Sequence, residues 1–75
     1  MDIEDYFEPV EVYEGDEVYE EDVIRLSGEQ DLNLEEKNSY IHLTDTDGNI
    51  LFEFKYVRDS KFGKIYVCTK ATPLD

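Results

Sequence analysis

His42 and Cys68 are the only histidine and the only cysteine of the chain, so any metal or nucleophile chemistry must pass through them. A zinc site takes three or four ligands, and here carboxylates would have to supply most of them. Pairing by hairpin register sets His42 opposite Glu53 and brings Cys68 across from Glu53 as well. A cross-strand polar pair on an exposed sheet face accounts for that grouping without a metal. A Cys68–His42 dyad would lack the third group that orients a catalytic base, and Cys68 reads more simply as a small strand residue. Asp45-Thr46-Asp47-Gly48-Asn49 has the look of a calcium loop. Counted from Asp45, however, Ile50 falls where an EF-hand needs Gly at position 6, and Tyr56 falls where it needs Glu at position 12. Acid density alone does not raise a carboxyl pKa into the range that acid–base catalysis uses. The expectation is a non-enzymatic protein with no metal and no cofactor.

Another kind of chemistry is written in the charges. The 75 residues carry 20 Asp+Glu against 7 Lys+Arg, a formal charge of −13. Residues 1–36 hold 15 of the acids and one base, Arg25; residues 37–75 hold 5 acids and 6 bases. The two parts therefore sum to −14 and +1. The densest stretch interleaves acids with tyrosines: Glu11, Tyr13, Glu14, Asp16, Glu17, Tyr19, Glu20, Glu21 and Asp22. Such a stretch can be a solvated tail. Its valines and tyrosines give it more apolar content than solvation needs, and Tyr is enriched at interface hot spots. Acids at alternate strand positions recur every ~6.6 Å, and those one helical turn apart lie about 5–6 Å from each other. A DNA strand presents one charge per roughly 3.4 Å of axis. The run can therefore stand in for phosphates.

The elements that must position these residues follow from pattern. The chain is long enough for one domain, 1–75, that buries only about 60% of its unfolded surface. Ser39–Thr44, Ile50–Val57 and Lys64–Lys70 are β-branched and aromatic stretches separated by turn residues, an antiparallel meander at about 39–44, 50–57 and 64–70. A type I′ turn at Asp47-Gly48 sets Thr46 opposite Asn49, Leu43 opposite Phe52 and Ile41 opposite Phe54. One apolar face then runs on through Ile50 and Tyr56, with His42–Glu53 and Tyr40–Lys55 on the other. A four-residue loop in the next connection pairs Tyr56 with Ile65 and Phe54 with Val67. The apolar face needs a cover, which the acidic half must provide.

Within that half, Val10–Tyr13 alternates like a strand. A short helix fits about 16–27, with Asp16 as N-cap, Arg25 in the last turn, Gly28 just beyond, and Tyr19, Val23 and Leu26 as the apolar stripe. The rival assignment makes Val23–Leu26 and Asp31–Leu34 strands. The fold class is α+β or mostly β, with 1–8 and 71–75 as frayed tails. Lys55, Arg58, Lys61, Lys64 and Lys70, among Tyr40, Phe62 and Tyr66, are read as solubilising the sheet and pairing with the acidic segment. No stretch approaches membrane-spanning length and the N-terminus is acidic where a signal peptide is basic; the expected location is cytoplasmic, the host cytoplasm if the protein is viral.

A surface this negative repels nucleic acid and anionic membranes and attracts basic proteins. In size, charge and Tyr/acid interleaving, residues 1–36 above all, the chain resembles the small acidic proteins with which phages disable host nucleic-acid-binding machinery such as restriction enzymes, CRISPR effectors, uracil-DNA glycosylases and nucleoid proteins. That resemblance implies an inhibitor or DNA mimic whose carboxylates replace phosphates on a basic partner. The alternative is a small regulatory or assembly subunit that docks on a basic partner without mimicry. Exposed sheet edges also suit a homodimer.

Overall fold

A computed structural model describes residues 12–72. The elements are β1 (Glu17–Tyr19), α1 (Glu20–Glu29), β2 (Asn33–Lys37), β3 (Tyr40–Thr44), β4 (Ile50–Ser60) and β5 (Gly63–Ala71). The strands form one antiparallel sheet in the order β1-β5-β4-β3-β2. The expected meander is β3–β4–β5, with a further strand at each edge.

The first hairpin keeps its expected register at Leu43–Phe52, Ile41–Phe54, His42–Glu53 and Tyr40–Lys55. Its turn is different. A type I′ turn needs positive φ at both central residues, and of Asp47 and Gly48 only Gly48 has it, at +89°. Gly48 N–H donates to Asp45 C=O at 3.1 Å, and Asp45 N–H donates to Asn49 C=O at 3.0 Å. The loop is therefore Thr46-Asp47-Gly48, and Thr46 does not face Asn49. The cause is the Asp45 carboxylate, which accepts the N–H groups of Asp47 and Asn49, each at 2.9 Å, and the Asn49 side-chain amide at 3.1 Å. The ladder absorbs the difference one step later: Thr44 pairs with Ile50 but Leu43 with Phe52. Leu51 is the extra residue and packs against the core, while Ile50 turns outward. A turn with two positive-φ residues does occur, at Asn38 (+50°) and Ser39 (+72°), joining β2 to β3.

The β4–β5 register differs from expectation by one residue. Tyr56 pairs with Tyr66, not Ile65, and Phe54 with Cys68, not Val67. Cys68 consequently lies opposite Phe54 rather than Glu53. The connection is a two-residue turn, Lys61-Phe62, between Ser60 and Gly63. Ser60 Oγ donates to Gly63 C=O at 2.8 Å and accepts Phe62 N–H at 3.1 Å. Val57 and Thr69 are accommodated as extra residues where the register shifts. These bulges point Tyr66 and Cys68 into the core.

α1 starts later than expected, because Asp16 does not cap it. The Asp16 carboxylate accepts Tyr13 N–H at 3.0 Å and its own N–H donates to Tyr13 C=O at 3.0 Å, closing a turn. Gly15 N–H then bonds Cys68 C=O at 2.8 Å, and Cys68 N–H bonds Asp16 C=O at 2.9 Å, which leads the chain into β1. The Asp22 carboxylate accepts Tyr19 N–H at 3.2 Å at the helix start. Gly28 lies within the helix rather than past it, and Arg25 pairs with Glu29 at 3.6 Å. Val23 and Leu26 are buried as the stripe requires; Tyr19 is outside the stripe, 38% exposed. The rival strand at Val23–Leu26 is absent, and the one at Asp31–Leu34 appears displaced as β2. Of the strand expected at Val10–Tyr13, Val10 and Glu11 lie outside the described residues; Val12 and Tyr13 are not in a strand. Ala71 closes β5, and Thr72 N–H donates to Leu51 C=O at 2.8 Å. Residues 1–8 and 73–75 of the expected tails lie outside the described residues.

The core gathers Val12, Val23 and Leu26 with Ile41, Leu43, Phe52, Phe54, Tyr66 and Cys68. Each large side chain so buried contributes on the order of 1.5–3 kcal/mol. α1 thus packs on one face of the sheet, and Tyr40, His42, Glu53 and Lys55 belong to the other. Among the described residues no helix is long and apolar enough to cross a membrane.

Candidate functional site

The expected contact residues occupy three successive local structures at the β1 edge. Glu11 lies outside the described residues. Tyr13, Glu14 and Asp16 are in the Gly15 turn, Glu17 and Tyr19 in β1, and Glu20, Glu21 and Asp22 in the first turn of α1. Tyr13 is 65% exposed; Glu14, Asp16, Glu17 and Glu21 are exposed, and Glu20 and Asp22 half-buried. The two hydrogen bonds to Cys68 hold the turn on β5, so this acidic surface is ordered by the sheet.

Part of this charge also serves the fold. Asp16 closes the turn and Asp22 holds the helix start. Glu17 forms a two-pronged pair with Arg58, at 2.9 and 3.4 Å, and that carboxylate is the main cause raising the Arg58 pKa. Glu20, Glu21 and Asp22 complement the positive end of α1. The even charge spacing of one strand or one helix is not what this segment has: only Glu17–Tyr19 are extended, and the three helical acids are consecutive, fanning around the axis at about 100° intervals.

Phe62, set by the sequence among the solubilising bases, stands 71% exposed at the tip of the β4–β5 turn. Its ring meets Tyr19 edge-on at 6.4 Å between centroids, and Lys61 Nζ lies 5.9 Å from it. An aromatic residue inside a turn was the available signal. It places a rigid apolar anchor beside the acidic edge.

On the sheet face away from α1, His42 Nε2 lies 2.9 Å from Glu53 Oε2, and Thr69 Oγ1 donates to Glu53 Oε1 at 2.8 Å. The Thr69 hydroxyl, followed by His42, holds the Glu53 carboxyl below its usual range. Lys37, Asn38, Tyr40, His42 and Glu53 line an open hollow of about 380 Å³. Cys68 is on the opposite, buried face, so His42 and Cys68 do not form a dyad. Burial raises the Cys68 thiol pKa. Among the described residues no three His, Cys, Asp or Glu side chains group to hold a metal ion. Comparison of the chain with protein-family models, curated proteins and solved structures gives no significant match.

Proposed function

We propose that the protein is a non-enzymatic binding protein whose acidic edge, Tyr13 to Asp22, occupies a basic nucleic-acid-binding surface of a partner protein. It would act as an inhibitor or DNA mimic, of the kind phages direct against CRISPR effectors or restriction enzymes. The observation that carries this reading is the placement of six carboxylates within residues 13–22 on a turn, strand and helix start tied to β5. Carboxylates so held replace phosphates against Lys and Arg without first ordering a loose tail, which lowers the entropic cost of association. Tyr13, and Tyr19 with Phe62, supply aromatic anchors beside the charge.

The alternative, a regulatory or assembly subunit that docks without mimicry, draws support from Phe62, because Lys61 beside it disfavours entry into a basic groove. Competition separates the two. A mimic and a nucleic acid exclude one another from the partner, and the mimic's affinity falls steeply with salt. A docking subunit forms a ternary complex.

A further inference from the structure

We infer that the free edge of β2 pairs with β2 of a second copy of this chain about Leu34, joining the two five-stranded sheets into one. β2 ends the sheet, and all five of its residues are exposed. The two-residue turn at Asn38-Ser39 makes Lys37–Tyr40 the closing pair. Hydrogen-bonded and non-bonded pairs alternate from there, so Lys37, Glu35 and Asn33 bond to β3. Leu34 and Glu36 turn their N–H and C=O groups to the free edge, a template for strand addition. Leu32 C=O continues that outward row, its own N–H being held by Ser27 C=O at 2.8 Å.

Parity and charge then select one register. Two copies related by a two-fold axis pair antiparallel, and outward groups meet outward groups only when one residue lies opposite itself. Centring on Glu35, Glu36 or Lys37 sets that charge against its own counterpart, and centring on Asn33 sets Asp31 against Glu35. Like charges directly opposite are destabilising. Leu34 alone avoids this. About Leu34 the pairs are Leu34 with Leu34, Asn33 with Glu35, Leu32 with Glu36 and, just beyond the strand, Asp31 with Lys37. Leu34 N–H and C=O bond their counterparts, Glu36 N–H reaches Leu32 C=O, and the two-fold repeats each bond. The pairing covers Leu34, which is 38% exposed, and is self-complementary as a two-fold interface must be. The other edge, β1, is three residues long and runs straight into α1, too short for the same ladder. Five residues a side is well under the roughly 20–30 of a standard interface, so the dimer is weak and forms as concentration rises. It carries the two acidic β1 edges to opposite ends of the joined sheet, about nine strand spacings of ~4.8 Å apart, whatever those edges bind.

The test follows the full chain by sedimentation equilibrium up to about 1 mM. The ionic strength is about 0.15 M, where a Debye length of about 8 Å screens the −13 on each copy. The average mass should rise from monomer toward dimer. In an equal mixture of isotope-labelled and unlabelled protein, filtered NOEs should join the Asn33 Hα of one copy to the Glu35 Hα of the other, the close non-bonded pair of this register. L34K and L34E should each weaken the dimer about tenfold or more by opposing like charges. Mixing the two variants sets Lys against Glu and should restore it, which a merely unfolded variant could not do. A chain that stays monomeric throughout, a dimer indifferent to L34K, or a Glu35–Glu35 contact in place of Asn33–Glu35 would overturn the inference.

Discussion

Asp45 shows how one side chain sets a loop. Its carboxylate accepts three hydrogen bonds, and the Asn49 backbone N–H foremost holds its pKa below the ordinary 3.8. A depressed folded-state pKa contributes stability above the unfolded value, lost as pH falls through the folded one. Wild type and Asp45→Ala should therefore differ in urea midpoint at neutral pH and converge as pH falls well below 3.8. A difference that persists there would assign the effect to something other than the ionised carboxylate. Gly48 is the second determinant. Nothing lies within 4 Å of a Cβ added there, so Gly48→Val is strained only through φ and should cost on the order of 1 kcal/mol or more, measured by equilibrium unfolding. Cys68, 1% exposed with its pKa raised by burial, should react with a thiol reagent at neutral pH only on the unfolding timescale. Rapid labelling of the native protein would contradict this burial.

At the scale of elements, α1 is held by Val23 and Leu26, each 1% exposed. Leu26→Ala should cost about 2–5 kcal/mol. Ile24→Ala, on the 56% exposed side of the same helix, should cost well under 1 kcal/mol. Denaturant titration of the two variants measures how far the helix depends on the sheet. What the sequence revealed of these elements follows the same physics. The β3–β4 register was legible because Ile41, Leu43, Phe52 and Phe54 share a face only in pairings an even number of residues apart, and the short loop between Thr44 and Ile50 selects among them, with Leu51 as the extra residue that restores the register. The β4–β5 register was not, because Val57 and Thr69 are bulge residues and alternation carries no record of an inserted residue. β1 was hidden by its composition, since Glu17 reads as helix or loop and only its pairing to Val67 makes it strand. Asp16 matched a helix cap in type, and the turn with Tyr13 won because Gly15, at φ +94°, lets the chain fold back onto Cys68.

Over the whole molecule, five of the fifteen acids behind the −14 of residues 1–36 lie outside the described residues; of the others, Glu14, Asp16, Glu17, Glu20, Glu21 and Asp22 gather at the β1 edge and the start of α1. The acidic run was legible as a composition; that it spans turn, strand and helix was not, because Glu favours helix over strand and the three-residue β1 is strand through its pairing with β5. This also refines which charges can be tested. Asp16, Glu17 and Asp22 hold local structure, Asp45 holds its loop, and Asp59 accepts the Tyr56 hydroxyl, raising the Tyr56 pKa. Glu14, Glu20 and Glu21 are the cleaner probes. E14Q/E20Q/E21Q should keep the fold, at a cost of about 0.3–1 kcal/mol for each charge lost at the helix start, and weaken partner binding at least tenfold at low salt, whereas D47N, an exposed acid in another loop, should not. Phe62→Ala and Tyr13→Ala test the anchors, at about 2 kcal/mol or more each if they are hot spots.

The central claim is occupation of a nucleic-acid-binding surface, and competition tests it most directly. The partner is captured at low salt, purified, and loaded with labelled DNA or RNA; the protein is then titrated in while anisotropy reports the bound nucleic acid. The account predicts complete displacement with no ternary species, an apparent affinity that falls with salt, and loss of displacement in E14Q/E20Q/E21Q. Saturable binding of the protein that leaves the nucleic acid bound would contradict it.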